Sequence, residues 1–549
     1  MMLWSGPFLP LAALIWPLLL GLFVALPVMR ARALRLLPLA PLPALALALV
    51  GQTGETVAPA LLLGVRLGLD ESTRLLLGMT AGLWLAAGIY AQSMAAERNL
   101  ALFAGFWCLT LTGNLGVFLA VDVITFYVSF AAVSLAAWFL VVHDRKPEAL
   151  RAGRLYIMLA IPGEVCLLAG ILIGAQAADS LLITDIRAAL PEASLSVVAV
   201  ALLVVGFGVK AGMVPLHVWL PLAHPAAPVA GSAVLSGAIV KAGLVGFWLF
   251  LPPGAFAGGL VALGLAGAFG AALWGLTQAN AKAVLAYSTI SQMGVMLALI
   301  GGGASSQLVA FYAFHHGLAK GALFLAVGAV MGSTGRTRAL LTGIAGAVAL
   351  SVAGMPLTGG GVVKTIAKSN IDGGLALAIT ASGSTTALLL GWLLWRLTVL
   401  DAHATSGAIP RQLSVILLAM AALLVPWVLW PPEIDASRGY VLSRSAVFGG
   451  LWPLAMAVVL AGTAGLMTRV ISVTLPAFTQ GILPWFARCD GFFSWQLSEP
   501  RTKLSWPIPR SLVEKSFSMT TIIERLLTRW RWSGLATAAS LLLLTLAMR

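Results

Sequence analysis

The sequence predicts an all-α protein that crosses a membrane many times. Hydrophobic residues make up 60% of the 549 residues, whereas charged residues make up only 9%. The mean hydropathy is +0.99, and apolar runs of about 20 residues, enough for one helical span, recur along the chain. A composition this apolar excludes an ordinary soluble domain, so we predict a polytopic membrane protein.

The charge and the cysteines exclude several other classes. The formal net charge is +14, but the basic residues are scattered over short loops, which is the positive-inside pattern of membrane proteins and not a nucleic-acid surface. The three cysteines, Cys108, Cys166 and Cys489, are far apart and have no metal-site or iron–sulfur spacing. Because no nucleotide-binding or redox motif occurs either, we predict no cofactor, no metal and no catalytic residue.

We expect about sixteen membrane spans. They fall near residues 7–28, 33–50, 73–92, 100–119, 122–142, 152–176, 194–220, 228–251, 258–278, 281–301, 306–332, 337–372, 375–397, 412–431, 451–470 and 532–548. The first run has no basic residue before Arg30, so we interpret it as a retained span and not as a signal peptide. The basic loops at 30–35, 145–154 and 336–338 fall on one side, and the acidic loop at 179–192 falls on the other. This pattern predicts a multi-pass protein of the cell (inner) membrane with both termini outside.

The chain divides into four predicted parts. Residues 1–98 form N-terminal helices, 99–251 a first bundle, 252–400 a second bundle, and 401–549 C-terminal helices. Residues 472–531 are the one long polar stretch, on the cytoplasmic side, and their apolar residues recur near helical spacing among Lys and Arg. That pattern predicts an amphipathic helix on the membrane or on a partner subunit. A solvated connector is the alternative.

The first bundle contains the stretch around which the chain is organised. Lys210 lies inside an apolar run, Pro215 then interrupts the helix, and Lys241 follows in the next apolar run. A lysine near the middle of a bilayer costs about 2.5–3.5 kcal/mol on insertion scales, so it normally faces a partner or water. A broken helix has free backbone groups that must line protein or a hydrated cavity, which is typical of transporters.

The second bundle contains a similar interruption. Pro356 and the glycines Gly359, Gly360 and Gly361 are expected to unwind the span, and Lys364 follows them. Two interrupted helices in the two halves of a chain are typical of inverted repeats around an ion path. The order of lysine and proline is reversed between the two interruptions.

Further ionisable residues lie between and beside these lysines. Tyr312, His316 and Lys320 are four residues apart, so they share a helical face, whereas His315 is rotated by about 100°. A histidine beside a buried lysine is a candidate proton relay, and a histidine that only hydrogen-bonds a neighbouring helix is the alternative. We expect His315 to be mainly structural. The proton or ion path is thus predicted to include His316 and Lys320 together with Lys210, Lys241 and Lys364.

A protonated Lys210 also needs a carboxylate nearby. Glu164 is the one acid placed deep within the preceding spans, and Pro162 and Gly163 are expected to open its helix to water. Asp122 is the rival carboxylate, but it lies at the start of a helix. A glutamate that only hydrogen-bonds a neighbouring helix is the alternative for Glu164.

Four of these stretches resemble one family. VKAGMVPLHVWLPLAHPAAPVAGSAVLSGAIVKAG, NAKAVLAYSTISQMG, HHGLAKGALFL and MPLTGGGVVK occur in the order found in proton-conducting membrane transporters. That family includes antiporter-like subunits of respiratory complex I, group 4 membrane hydrogenases and Mrp-type antiporters. The amino-acid sequence of the first stretch is most similar to the hydrogenase-4-like and Mrp D-type branch of that family. The resemblance covers roughly residues 75–400.

The resemblance implies a core of about fourteen helices with two inverted five-helix repeats around a hydrated axis of charges. It implies that Lys210 is the pumping lysine of the first broken helix and that Lys241 is the lysine of the next helix. It also implies that His316 and Lys320 are the central connecting residues and that Lys364 is the lysine or glutamate of the second broken helix. One position departs from the family, because Ala131 stands where a glutamate usually pairs with the pumping lysine. Glu164 matches an acid that some family members carry in the sixth helix.

Three functions follow from this interpretation. The first is an ion-translocating, non-catalytic subunit of a complex I-like or group 4 hydrogenase-like oxidoreductase. The second is a subunit of an Mrp-type cation/proton antiporter or of a proton-coupled solute-uptake complex. The third, suggested by Ala131, is a scaffold subunit that has lost translocation. The expected partners are other membrane subunits, peripheral redox subunits on the cytoplasmic side and the lipid bilayer.

Overall fold

The structure, a computed structural model, describes residues 8–61, 64–94, 99–371, 373–400, 408–430 and 438–474. Within these ranges the chain is almost entirely helical, and thirteen helical stretches are long and apolar enough to cross a membrane. The predicted class, an all-α polytopic membrane protein, is therefore confirmed. The division into four parts and the inverted repeats remain predictions.

The elements of the N-terminal third are α1 (Phe8–Ala25), α2 (Pro27–Leu36), α3 (Leu42–Val50), β1 (Gly54–Ala58), β2 (Val65–Leu69), α4 (Glu71–Ala91), α5 (Leu100–Leu119), α6 (Val123–Val141) and α7 (Pro147–Ala178). The middle of the chain contains α8 (Ile183–Ala189), α9 (Ser196–Ala211), α10 (Leu220–Ala226), α11 (Val229–Val234), α12 (Lys241–Phe250), α13 (Ala257–Ala266), α14 (Ala272–Gly275), α15 (Ala281–Gly301) and α16 (Ser306–Met331). The last described elements are α17 (Gly335–Ala353), α18 (Gly359–Ser369), α19 (Gly373–Val399), α20 (Ala408–Val428), α21 (Arg438–Val441) and α22 (Arg444–Thr474).

Helices α15 and α16 form the centre of the bundle. Buried residues make up 94% of the apolar window of α15 and 89% of that of α16, against 22% for α1 and 17% for α22. The two central helices therefore have protein on all sides, whereas α1 and α22 lie at the periphery. Ionisable side chains on α16 are consequently removed from both water and lipid.

Several predicted spans differ from the structure. The predicted span 337–372 is two helices, α17 and α18, and the predicted span 194–220 is α9 followed by an interruption and the short α10. The last predicted span, 532–548, and all but the first three residues of the segment 472–531 lie outside the described residues.

A short β-hairpin between α3 and α4 was not predicted. Strands β1 and β2 pair in antiparallel register. The Arg66 amide in β2 donates to Asp122 Oδ2 at 2.9 Å, and Asp122 Oδ1 accepts from the Thr125 amide at 2.8 Å. Asp122 therefore caps α6 and holds the hairpin, which removes it as a rival to Glu164. Strand β2 (VRLGL) alternates in burial and contained a usable strand signal, whereas β1 (GETVA) is mostly exposed.

The first interruption separates α9 from α10. Helix α9 ends at Ala211, Gly212 follows with a φ of +68°, and Pro215 lies in the non-helical stretch before α10 begins at Leu220. Such left-handed residues commonly end helices, and glycine adopts them without steric cost. Trp219 Nε1 donates to the Val209 carbonyl at 2.8 Å, so the indole satisfies one carbonyl at the end of α9.

The second interruption separates α17 from α18. Helix α17 ends at Ala353, Gly354 follows with a φ of +98°, and Pro356 lies between the two helices. Thr358 caps α18, because its Oγ1 accepts from the Gly361 amide at 3.2 Å.

The glycines of the second interruption have a different role from the predicted one. Gly359, Gly360 and Gly361 do not unwind the span but form the first turn of α18. A Cβ on Gly360 would lie 1.9 Å from the Ser351 carbonyl oxygen, and one on Gly359 would lie 2.2 Å from the Ala422 carbonyl oxygen. The glycines therefore allow α18 to approach the backbones of α17 and α20 closely.

Two π-helical segments interrupt the remaining helices of this region. Leu235–Ile239 joins α11 to α12, and Gly267–Ala271 joins α13 to α14. Both contact α15, where Ser236 Oγ lies 2.7 Å from Thr289 Oγ1 and Ser291 Oγ donates to the Ala268 carbonyl at 2.6 Å. Segments of this kind are frequent at functional sites because they change the helical hydrogen-bond pattern.

Candidate functional site

Lys210 is held by one face of α6. It lies in the last turn of α9 and is 5% exposed. Its Nζ donates to Ser134 Oγ and lies 5.2 Å from the centre of the Phe130 ring. Phe130 and Ser134 are one helical turn apart, so they present a ring and a hydroxyl to the same ammonium. The C-terminal end of α9 also favours a cation there, through the helix dipole.

Glu164 faces the same space from α7. It lines, with Lys210 and Ser134, a cavity of about 280 Å³. Glu164 interacts electrostatically with Lys210 and with the Ser134 hydroxyl, and its Oε1 has no hydrogen-bond partner among the described residues. The carboxylate and the ammonium form no direct ion pair in this part of the chain. Ser134 thus contacts Lys210 directly and lines the same cavity as Glu164.

Two aromatic residues close this cavity. Tyr156 Oη donates to the Ser134 carbonyl at 2.9 Å, and the Tyr156 ring packs edge-on against Trp219 at 4.9 Å between ring centres. These contacts join α6, α7 and the first interruption. The position of Ser134 relative to Lys210 is therefore fixed by three separate elements.

The helix that carries Glu164 is not opened at Pro162, contrary to expectation. Helix α7 continues from Pro147 to Ala178 through this proline. A Cβ on Gly163 would lie 3.2 Å from Val209 Cβ, and one on Gly206 would lie 2.8 Å from the Gly163 carbonyl oxygen. Gly163 therefore serves the close approach of α7 and α9, which brings Glu164 towards Lys210.

Lys241, His316 and Lys320 come together in the centre of the bundle. All three are at most 1% exposed. His316 interacts electrostatically with Lys241, Lys320 and Lys364, and Lys320 also interacts with Lys364. These four predicted residues are therefore close enough for the charge of one to influence the next.

The three central side chains differ in their hydrogen bonds. Lys241 Nζ donates to the Ser236 carbonyl at 2.7 Å, within the π-helical segment that precedes it. Within the described residues, Lys320 Nζ and both ring nitrogens of His316 have no partner. Burying such groups without partners costs free energy, and inside a membrane they commonly mark a functional site.

His315 also interacts electrostatically with His316 and Lys364, but it differs from His316 in having a hydrogen-bond partner. Its Nε2 is 2.9 Å from Ser351 Oγ on α17, and the same hydroxyl accepts from the Gly360 amide at 2.9 Å. His315 thus links α16 to both helices of the second interruption. Its neighbour His316 faces the lysines instead.

Lys364 reaches back across the second interruption. Its Nζ donates to the Ala353 carbonyl at 3.4 Å, at the C-terminal end of α17. Lys364 and Lys368 are one turn apart on α18 and line a cavity of about 330 Å³ with Thr365. None of the described residues that line this cavity is acidic.

The residues around Lys210 include an acid, whereas the described residues around Lys320 and Lys364 include none. The sequence itself explains this difference. Residues 193–371 contain no Asp or Glu, although they include Lys210, Lys241, Lys320 and Lys364. Glu164 is therefore the carboxylate that the described structure brings to this set of lysines. No direct hydrogen bond joins Lys210 to Lys241, and the two are linked through packing, since a Cβ on Gly243 of α12 would lie 2.6 Å from the Ala211 amide of α9.

Sequence reasoning missed Ser134 and His224. His224 is fully buried, stacks on Phe324 with 4.5 Å between ring centres, and interacts electrostatically with Lys282, Lys320 and Lys241. Its position between the two lysine-bearing runs was a usable signal for His224. Ser134 has no such signal, since serine is common in membrane helices.

The arrangement suits proton transfer between ionisable side chains and not bond-breaking chemistry. Among the described residues, no group of three or more His, Cys, Asp or Glu is placed to hold a metal ion. The site residues are lysines, histidines and one glutamate inside a membrane domain.

Comparison with known proteins identifies this region. The family described as NADH:quinone oxidoreductase/Mrp antiporter, transmembrane, matches residues 120–364. Hydrogenase-4 component B of Escherichia coli (strain K12) is 34% identical over 227 residues, which are 38% of this chain and 34% of that protein. The D-type component of the Na(+)/H(+) antiporter of Alkalihalophilus pseudofirmus is 30% identical over 261 residues, which are 45% of this chain and 52% of that protein.

A third relative, the M component of the NADH-quinone oxidoreductase of Pseudomonas aeruginosa, is 32% identical over 286 residues, which are 48% of this chain and 56% of that protein. The chain thus aligns with between a third and somewhat more than half of the length of these relatives.

Two solved structures share the fold over most of their length. A chain of the membrane-bound sulfane sulfur reductase, an archaeal respiratory membrane complex, superposes with a TM-score of 0.67 at 20% identity, covering 82% of this chain and 99% of that one. A chain of the Mrp complex from Dietzia sp. DQ12-45-1b superposes with a TM-score of 0.65 at 21% identity, covering 83% of this chain and 100% of that one. Residues 120–364, which hold the candidate site, are thus similar to the NADH:quinone oxidoreductase/Mrp antiporter family of membrane proteins, as the sequence motifs predicted.

Proposed function

We propose that this chain is a proton- or cation-translocating, antiporter-like membrane subunit of a complex I-like or group 4 hydrogenase-like assembly. The observation that carries the proposal is the set of buried ionisable side chains. Glu164 and Lys210 share one cavity, and Lys241, His316, Lys320 and Lys364 interact with one another through the centre of the bundle.

Mutual repulsion gives these side chains a way to move protons. A lysine that gains a proton raises the cost of a proton on the next lysine, because the interior screens charge poorly. With one carboxylate and four lysines, few of the amines are able to stay charged at once. A change at one end of the set is therefore able to expel a proton at the other.

The similarity to hydrogenase-4 component B and to the M component of NADH-quinone oxidoreductase supports a redox-driven assembly. The similarity to the D-type antiporter component and to the Mrp complex supports the second candidate, a subunit of a cation/proton antiporter or of a proton-coupled solute-uptake complex. Ala131 supports the third, a scaffold without translocation. We favour translocation because Glu164 provides a carboxylate beside Lys210.

The relatives belong to multisubunit membrane complexes, so we propose that this chain also acts beside other membrane subunits. In the redox-driven assembly, peripheral redox subunits would lie on the cytoplasmic side. The basic loops support an orientation in the cell membrane with both termini outside.

Purification of the native complex tests the proposal. An iron–sulfur or hydrogenase-like subunit that co-purifies supports the redox-driven assembly, whereas small membrane subunits alone support the antiporter. Reconstituted vesicles then report whether proton or Na⁺ movement follows electron transfer. A complex that moves neither ion, with or without electron transfer, would contradict translocation and favour the scaffold.

A further inference from the structure

We propose that the Ser134 hydroxyl relays protons between Lys210 and Glu164. This inference rests on the proposed translocation function and names a residue that performs one of its steps. Lys210 donates to Ser134 Oγ, Glu164 lines the same cavity as that hydroxyl, and the two charged groups form no direct ion pair.

The hydroxyl is suited to this step. A serine hydroxyl donates one hydrogen bond and accepts up to two, so it accepts from the Lys210 ammonium and still has its own proton to donate. In the transfer, an N–H bond of Lys210 breaks as an O–H bond forms at Ser134 Oγ. The original O–H bond of Ser134 breaks as one forms on the Glu164 carboxylate. The products are a neutral amine, an unchanged serine and a carboxylic acid.

The surroundings keep the hydroxyl in place. The Ser134 carbonyl accepts from Tyr156 Oη at 2.9 Å, which fixes this turn of α6 against α7. The Phe130 ring lies one turn away on the same face and covers the ammonium, 5.2 Å from the ring centre. The amine therefore has one polar side-chain partner on α6, and that partner is Ser134.

The relay also leaves the net charge at the first interruption unchanged. Taking one proton from Lys210 to Glu164 removes two opposite charges from a buried site in one step. The reverse step recreates them when a charge arrives nearby. Direct transfer would need the carboxylate to move into contact with the ammonium, whereas the hydroxyl already contacts the ammonium and faces the cavity that Glu164 lines.

A matched pair of variants tests the relay. Ser134→Thr keeps the hydroxyl and adds a methyl group, whereas Ser134→Val has a second methyl group in place of that hydroxyl, so the two variants match each other in size and shape. Ser129→Ala is the control on the same helix, since that hydroxyl faces α5, where a Cβ on Gly116 would lie 2.3 Å from Ser129 Oγ. Each variant is purified as the whole complex, and proton translocation is measured in vesicles at matched assembly.

We expect Ser134→Val to reduce translocation by more than about tenfold, and Ser134→Thr and Ser129→Ala to retain most of it. Infrared difference spectra should show the protonation change of Glu164 in the threonine variant but not in the valine variant. Normal translocation by the valine variant, or equal loss in both Ser134 variants, would overturn the relay. If Lys210→Ala also transports normally, the proposed function itself fails, which separates the two outcomes.

Discussion

Both interrupted helices hold an ammonium group at the C-terminal end of a helix, although lysine and proline occur in the opposite order in their sequences. In the first, Lys210 precedes the interruption and lies in the last turn of α9. In the second, Lys364 follows the interruption, but its side chain reaches back to the Ala353 carbonyl at the end of α17. Both ammonium groups therefore lie at the C-terminal end of a half-helix, where the dipole and the free carbonyls favour a cation.

The two sites differ in their counter-charges. Lys210 has Glu164 and Ser134 in its cavity, whereas Lys364 shares its cavity with Lys368 and with no acid among the described residues. The first site thus has a carboxylate beside its lysine, whereas the described part of the second site has none.

The largest effect is expected at Lys210. Lys210→Ala should abolish translocation while the complex still assembles, because the cavity tolerates loss of an amine. Lys210→Arg should fail as well, since arginine stays protonated and is unable to switch charge. Proton movement in reconstituted vesicles measures both. Normal pumping by the arginine variant would contradict the need for Lys210 to switch charge.

The next effect tests the acid that only the first site has. Glu164→Gln should abolish translocation, because it removes the carboxylate that accepts the proton. Adding Ala131→Glu should restore part of it, since residue 131 lies on α6 three residues before Ser134. Vesicle assays compare the single and double variants at equal assembly. A Glu164→Gln variant that transports normally would show that the first site needs no acid.

A smaller difference is expected between the two adjacent histidines. His316→Ala should slow translocation by more than about tenfold, because it removes a side chain that faces Lys241 and Lys320. His315→Ala should instead lower the thermal stability of the complex, by about 1–3 kcal/mol in unfolding free energy, because the hydrogen bond between α16 and Ser351 is lost. Ser351→Ala is the control and should resemble it. A larger transport loss from His315→Ala would reverse the assignment.

The smallest effect concerns how Lys364 reaches back. A Cβ on Gly354 would lie 2.9 Å from Lys364 Cδ, whereas one on Gly335 meets nothing within 4 Å, and both glycines have positive φ values. Each alanine variant should lose about 1–2 kcal/mol of stability through backbone strain. Only Gly354→Ala should also slow translocation, by displacing the Lys364 side chain. Equal transport in the two variants would show that the contact with Ala353 is dispensable.

Much of the site was visible in the sequence because its signals are local. Apolar run length predicts a span whatever its neighbours are, and Pro215 and Pro356 disrupt helices through their own geometry. A lysine inside such a run is conspicuous for the same reason. The β-hairpin was missed although β2 alternates, because its strands are short and lie between long apolar runs. The role of Gly359–Gly361 was missed because it depends on the backbones of α17 and α20.

The sequence by itself determined the membrane class, the two interruptions and which lysines are buried. Only the tertiary structure decided the partner of each ionisable group. Ser134 lies 76 residues before Lys210, and Ser351 lies 36 residues after His315. Helix α16 is buried on all sides, so the angle around the helix separates His316 from His315 but does not identify the partner of either. Hydropathy predicts whether a residue lies within a membrane span. The hydrogen-bond partner of that residue depends on helices that meet only after the chain has folded.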